Sequence, residues 1–251
     1  MSSRPWAAEP PSSPRRRDAA RWAWAGAALV LVAVPFALLL LLVEDHFGPM
    51  LAADQGARDS LHRFGLTRPL FVEVMRVLSD SGSALAWQVV IGACVVWLLW
   101  RRLWRLAIFT AVTVAGSSLL NSAVKALVHR TRPVVDHPFV HEAGASFPSG
   151  HAQAAIVGYG VLLLVFLPVL PVRWRRPVVA VAALVVVGIG FSRVALAAHY
   201  VSDVVGGFVL GAAWLAALTA LFSAWRLQRG RAPVSPREGL APEDAPRLDP
   251  T

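Results

Sequence analysis

An arginine, a histidine and an aspartate stand close together in the stretch Ser192-Arg193-Val194-Ala195-Leu196-Ala197-Ala198-His199-Tyr200-Val201-Ser202-Asp203, between two long apolar segments. His199 and Asp203 are four residues apart, so on a helix they share one face, where the carboxylate accepts a hydrogen bond from one imidazole nitrogen. The other nitrogen keeps its lone pair. A histidine held in one tautomer in this way is a better base or nucleophile. Arg193, six residues before His199, offers a fixed fork suited to phosphate or carboxylate oxygens. An oriented histidine beside a guanidinium suits attack on an anion. Taken alone, the stretch reads equally well as an interfacial loop whose polar groups meet water.

Two further groups carry chemistry. Lys125, the sequence's single lysine, and Arg132 are seven residues apart, two helical turns, so both can point the same way, with Pro133 setting where the helix stops. Arg130 is an extra cation beside them. Phe147-Pro148-Ser149-Gly150-His151 opens another apolar run. There Ser149 suits a helix N-cap, Gly150 lets backbone approach a ligand, and the free N–H groups of a helix start bind anions. His151, in the first turn, can donate a proton. Each group has an ordinary alternative, a snorkelling lysine or a plain cap. Together they supply three cations, backbone donors, a nucleophilic histidine with its carboxylate, and a second histidine as acid. That is a set for phosphoryl transfer, with charge stabilisation for the equatorial oxygens and two groups in line.

The elements that position these residues are membrane spans. With 251 residues, 56% hydrophobic content and a mean hydropathy of +0.56, the chain is too apolar for a water-soluble domain. The net charge of +9 does not point to nucleic acid, because the arginines lie in short clusters between apolar runs. The one cysteine, Cys94, lies inside an apolar run and offers neither a disulfide framework nor a thiolate metal site. Six spans are predicted: 22–43, 84–100, 106–128, 149–170, 177–191 and 204–225, with Pro177 in the first turn of the fifth. Residues 44–83 form one or two amphipathic pieces in the interface, where His46, Asp54, Asp59 and His62 make a solvated face. Residues 1–21 and 227–251 are Pro- and Arg-rich disordered tails around a 22–226 membrane domain. Arginine clusters at 15–21, 101–105, 173–176 and 226–231 all fall on one side, which the positive-inside rule makes cytoplasmic. Lys125, Arg130, Arg132 and Arg193 fall on the other side, where topology gives them no task and a site does.

With these motifs in place, the sequence resembles the type 2 phosphatidic acid phosphatase (PAP2) family, related to vanadium-dependent haloperoxidases. The family pattern is Lys, six residues, Arg-Pro; then Pro-Ser-Gly-His; then Ser-Arg, five residues, His, three residues, Asp. It is met by Lys125 to Arg132-Pro133, by Pro148-Ser149-Gly150-His151, and by Ser192-Arg193, His199 and Asp203. Three motifs at fixed spacing make this far more specific than any one of them. The resemblance implies an all-α polytopic bundle of six transmembrane helices with a PAP2/haloperoxidase-like core. It also implies a phosphohistidine mechanism without metal or other cofactor. His199 would attack phosphorus and Asp203 orient it; His151 would protonate the leaving oxygen; Lys125, Arg132, Arg193 and the backbone at Ser149 and Gly150 would hold the phosphate.

Other readings are weighed against it. A zinc hydrolase would use His129, His137, His141, Glu142 and His151, but no His-Glu-x-x-His pattern occurs and Pro138 spoils the helical spacing of His137 and His141. A non-catalytic anionic-lipid-binding protein would not need the His199 and Asp203 pairing. A phosphotransferase would use the same site with another acceptor. The expected substrate is a membrane lipid phosphate or diphosphate met at the outer face of the cell membrane, with both termini cytoplasmic and no nucleic-acid partner. Undecaprenyl diphosphate ranks first, ahead of phosphatidic acid and phosphatidylglycerophosphate.

Overall fold

The structure, a computed structural model, describes residues 34–249. The tail at 1–21 and the first part of the expected 22–43 span lie outside the described residues. What is described of that span is helix α1, Val34–Glu44, which meets α2, Gly48–Leu66, at 87°. Helix α3, Pro69–Asp80, begins on a proline whose missing N–H is no loss in a first turn. Ser83 caps α4, Ala84–Trp100, its Oγ accepting the Ala86 N–H at 3.2 Å.

Helix α5, Trp104–Val128, ends on His129 in the left-handed region at φ 46°. Helix α6, Gly150–Phe166, is followed by a 3-10 turn. Helix α7, Val172–Ala195, starts before the expected 177, so Pro177 lies inside the helix and not in its first turn. Proline there removes one helical hydrogen bond, which a packed membrane bundle tolerates. Helix α8 is Val201–Gln228. Among the described residues there are helices and no strand. Five helical stretches are long and apolar enough to cross a membrane, six if the bent α1–α2 pair is counted. One of the five, Pro69–Trp100, joins α3 to α4, so apolar helix begins well before the 84 read from the sequence. The protein is an all-α, multi-pass membrane bundle.

Helix α6 is the centre of the bundle, in contact with α4, α5, α7 and α8. Its Val157, Val161 and Val165 pack in one core with Leu98 of α4 and Leu106 and Phe109 of α5. Helix α8 approaches the start of α6 at Gly207, where an added Cβ would lie 2.5 Å from the Ser149 carbonyl oxygen. Trp214 ties α8 to α5 by donating from Nε1 to the Thr113 carbonyl at 2.7 Å.

The arginine clusters at 101–105, 173–176 and 226–231 gather at the other end of the bundle. Residues 229–249, read from the sequence as part of a disordered tail, fold back there and bury Leu240, Ala241 and Leu248 in the α4–α5–α6 core. Arg101 donates to the carbonyls of Arg247 and Asp249 at 2.8 and 2.6 Å. Arg226 clasps the Glu243 carboxylate at 2.7 and 3.0 Å. A few apolar residues and a chelated glutamate thus hold a segment whose composition is that of a tail.

Candidate active site

The expected His199–Asp203 pairing is present, but not on one helix face. His199 precedes α8; Tyr200 is the N-cap and Asp203 the third residue of the first turn. The Asp203 side chain reaches back to accept the Tyr200 N–H at 2.9 Å, as in a capping box. The same oxygen, Oδ2, accepts from the Ser146 hydroxyl and lies 3.4 Å from His199 Nδ1. The cap therefore aims the carboxylate. The chain between α7 and α8 turns sharply, with Ala197 at φ 55°, and the Arg193 carbonyl accepts from the N–H groups of both Ala198 (3.0 Å) and His199 (3.2 Å). With Nδ1 facing Asp203, Nε2 is the nitrogen left to accept, and it lies 3.2 Å from the donor Arg132 Nη1. Burial pushes the His199 pKa down against the pull of Asp203, which favours the neutral ring with a lone pair on Nε2.

Lys125 and Arg132 meet by a different route from the one expected. Because α5 ends at Val128, Arg132 stands on the segment beyond it and not two turns further along the same helix. Both are pinned to neighbouring carbonyls of the α5–α6 loop: Lys125 Nζ donates to Ala145 at 3.0 Å and Arg132 Nε to Gly144 at 3.1 Å. Arg132 Nη1 also donates to the Ala198 carbonyl at 3.0 Å. Arg193, buried in the last turn of α7, donates to the Ser79 hydroxyl of α3 and to the Glu142 carboxylate. Glu142 also pairs with Arg132 at 2.9 Å and stands 3.9 Å from His199 Nε2. Burial alone would raise the Glu142 pKa, yet Arg193, His199 and Arg132 hold it below the usual carboxylate range. A carboxylate thus sits between two guanidiniums, facing the nitrogen that would attack.

Ser149 is the N-cap of α6, as expected, its Oγ accepting the Ala152 N–H. Its own N–H donates to the Asp203 carbonyl at 2.9 Å, so the starts of α6 and α8 are tied together. Gly150 and His151 occupy the first turn of α6. His151 and Gly150 also line a cavity of about 230 Å³ between α4, α5 and α6, together with Ser118, Asn121 and Ser122. Asn121 donates to Gln153 at 2.8 Å, and Gln153 to Ser117.

Sequence reasoning missed Asp54, Ser146, Ser202 and the placement of Arg130 and Glu142. Asp54, assigned to a solvated face, is 2% exposed, and His62 is 7% exposed and donates from Nε2 to the His137 carbonyl at 3.2 Å. Nothing local marks Asp54: its partner Ser202 lies 148 residues away in the chain. Arg130 carried a signal, a cation on the side where topology needs none, but not a partner. Among the described residues no three of His, Cys, Asp and Glu converge as a metal site; Glu142 is drawn to the arginines.

The profile of the PAP2 superfamily matches residues 102–227. The chain is 32% identical over 178 residues to phosphatidylglycerophosphatase B of Bacillus subtilis, across 69% of this chain and 85% of that protein. It is 36% identical over 118 residues to a lipid A 1-phosphatase of Rhizobium johnstonii, across 43% and 44% of the two. The crystal structure of a transmembrane PAP2-type phosphatidylglycerolphosphate phosphatase from Bacillus subtilis superposes with a TM-score of 0.67 at 30% identity, covering 77% of this chain and 94% of that one. An all-helical membrane bundle with a basic, histidine-bearing pocket at one end is the class these observations define. The chain belongs to the PAP2 superfamily and is a membrane phosphatase of that class.

Proposed function

We propose that this protein, as one membrane domain over 22–226, hydrolyses a lipid phosphate at the outer face of the cell membrane through a phosphohistidine on His199. The observation that carries the reading is the setting of His199. Nδ1 faces Asp203 at 3.4 Å while Nε2 opens onto Arg132 and the Glu142 carboxylate that bridges Arg132 and Arg193. Two guanidiniums holding a carboxylate in that place suit the oxygens of a phosphate equally well.

In the proposed reaction the substrate phosphate exchanges for the Glu142 carboxylate. Lys125, Arg132, Arg193 and the N–H groups at the start of α6 then take its non-bridging oxygens. Nε2 attacks phosphorus and the P–O bond to the lipid breaks, while His151 gives its proton to the leaving oxygen. Asp203 stabilises the imidazolium that forms. Water then attacks the phosphohistidine, His151 takes the water's proton, and inorganic phosphate leaves with the His199 ring restored. Charge neutralisation comes from the three cations, so the reading needs no metal ion.

Among substrates, the similarity to phosphatidylglycerophosphatase B over most of both chains moves phosphatidylglycerophosphate to first place. Undecaprenyl diphosphate, ranked first on sidedness alone, and phosphatidic acid follow. Phosphate release by the purified protein from these three lipids, with and without EDTA and vanadate, tests the reading. Activity on phosphatidylglycerophosphate that survives EDTA and is blocked by vanadate, with acid-labile label absent from His199→Ala, is the expected result. His151→Ala should lose on the order of 10²-fold more rate on lipid esters than on an activated aryl phosphate, whose leaving group needs no proton. Activity lost to EDTA and restored by a metal, or label persisting in His199→Ala, would reject the mechanism.

A further inference from the structure

Arg130 lies two residues from Arg132 and faces a different set of partners. Its Nη1 donates to Asp203 Oδ1 at 2.5 Å and to the Ser202 hydroxyl at 2.7 Å. Its Nη2 donates to Asp54 Oδ2 at 2.9 Å, and its guanidinium stacks 4.5 Å from the centre of the Tyr200 ring. Asp54 in turn accepts the Ser202 N–H at 2.9 Å and the Ser202 hydroxyl. The two carboxylates are buried and the Arg130 side chain is 11% exposed. A buried charge cluster of this kind is expensive to desolvate and is weak evidence for stability by itself. What it does here is occupy the oxygen of Asp203 that His199 does not use.

The geometry points to Asp54 and Arg130 as positioning residues for the reaction: Asp54 clamps the Arg130 guanidinium against Asp203, and Asp203 so clamped orients His199. This rests on the phosphohistidine reading above. Asp54 comes from α2, outside residues 102–227 that the superfamily profile matches, so the clamp adds an element to the matched core.

Two physical effects follow. With donors on Oδ2 alone, from Tyr200, Ser146 and His199, the Asp203 carboxylate could swivel about its last torsion; the Arg130 contact on Oδ1 fixes its plane. The second effect is electrostatic. As Nε2 attacks, the imidazole acquires positive charge that Asp203 must balance. Arg130 without Asp54 would be an uncompensated cation beside that developing charge. Asp54 cancels it and leaves the charge of Asp203 available to His199.

The test uses the full-length protein and an activated aryl phosphate. Asp54→Asn keeps the shape and removes the charge, and is expected to lower kcat by about 10-fold with KM little changed. His199 is faced by Asp203 from α8, Arg193 from α7, His151 from α6, and Arg132 and Glu142 from the loop. Losing one negative charge behind Asp203 disfavours the imidazolium, so the acid limb of kcat/KM moves to lower pH. The decisive comparison is a double-mutant cycle with Asp203→Asn. If Asp54 acts through Asp203, Asp54→Asn in that background costs under about twofold. Arg130→Lys, which keeps the charge and loses the fork, should fall between wild type and Arg130→Gln, and gives the same comparison should Asp54→Asn not fold. An equal loss in both backgrounds with an unmoved acid limb would show a structural staple between α2 and α8 and overturn the proposal. Full activity of Asp203→Asn would also overturn the proposal, since Asp203 would then orient nothing, whereas label persisting in His199→Ala would overturn the phosphohistidine reading, a separate outcome.

Discussion

Glu142 stands where the phosphate of the proposed reaction would stand, and its chemistry sets how readily that place is vacated. Its carboxylate balances Arg132 and Arg193, which in the absence of an anion would repel each other across the pocket. A ligand that binds only after an internal group has left has its apparent affinity reduced by the fraction of molecules in the competent state. Glu142→Gln should therefore bind vanadate more tightly, by roughly 10-fold, measured as the inhibition constant at pH 7. The pH dependence has a fixed sign. A carboxyl held below its usual range contributes stability that is complete above the ordinary carboxylate pKa and is lost as pH falls through the lowered value. The wild type should be more stable to heat than Glu142→Gln at pH 7 and still at pH about 5, with the difference closing only at more acid pH. A difference that closes near pH 7 would point to histidine and not to Glu142.

The elements position these groups through their ends more than through their faces. Helix α8 aims Asp203 by its capping box, α6 presents Ser149, Gly150 and His151 in its first turn, and α7 ends on Arg193. Helix α5 stops at His129 in the left-handed region, which turns the chain so that Arg130 and Arg132 reach different partners. The ends of α6 and α8 are kept together by the close approach at Gly207, where an added Cβ would meet the Ser149 carbonyl at 2.5 Å and the Ala152 Cβ at 3.1 Å. Gly207→Ala should cost about 1–3 kcal/mol as an overpacking change and, by pushing back the first turn of α6, raise KM for phosphate esters. Thermal unfolding and steady-state kinetics of the same variant check both. An unchanged KM with lowered stability would mean that α6 keeps its place and the strain is absorbed elsewhere.

At the scale of the whole molecule, the two ends of the bundle differ in kind. One end holds Arg101, Arg175, Arg226 and the returning C-terminal segment; the other holds Lys125, Arg132, Arg193 and His199. If the first end is cytoplasmic, as the positive-inside rule requires, the pocket opens to the outside. Cysteines placed singly for Val140 and Trp174 test this with a membrane-impermeant thiol reagent in intact cells. Label at 140 and not at 174 is expected, and the reverse pattern would invert the topology.

The sequence by itself determined the helical membrane class, four of the five apolar stretches to within a few residues at the ends nearest the arginine clusters, and the residues to watch. Those follow from local physics: apolar run length, the Ser149 cap, arginine clusters, and motif spacing. It misjudged the geometry of two residue pairs by placing each on a single helix. The i,i+4 spacing of His199 and Asp203 suggested a helix face, and the seven-residue spacing of Lys125 and Arg132 suggested one helix. The tertiary structure puts a helix start between the first pair and a helix end between the second. It also decided what no short-range pattern could carry: that Asp54 of α2 is buried against Arg130 and Ser202, that Glu142 bridges two arginines, and that a tail-like segment buries Leu240 and Leu248. Each of these is a charge or apolar group whose burial is stabilised by a partner distant in the chain. Composition shows that such a residue is polar or apolar; only the folded chain supplies the partner.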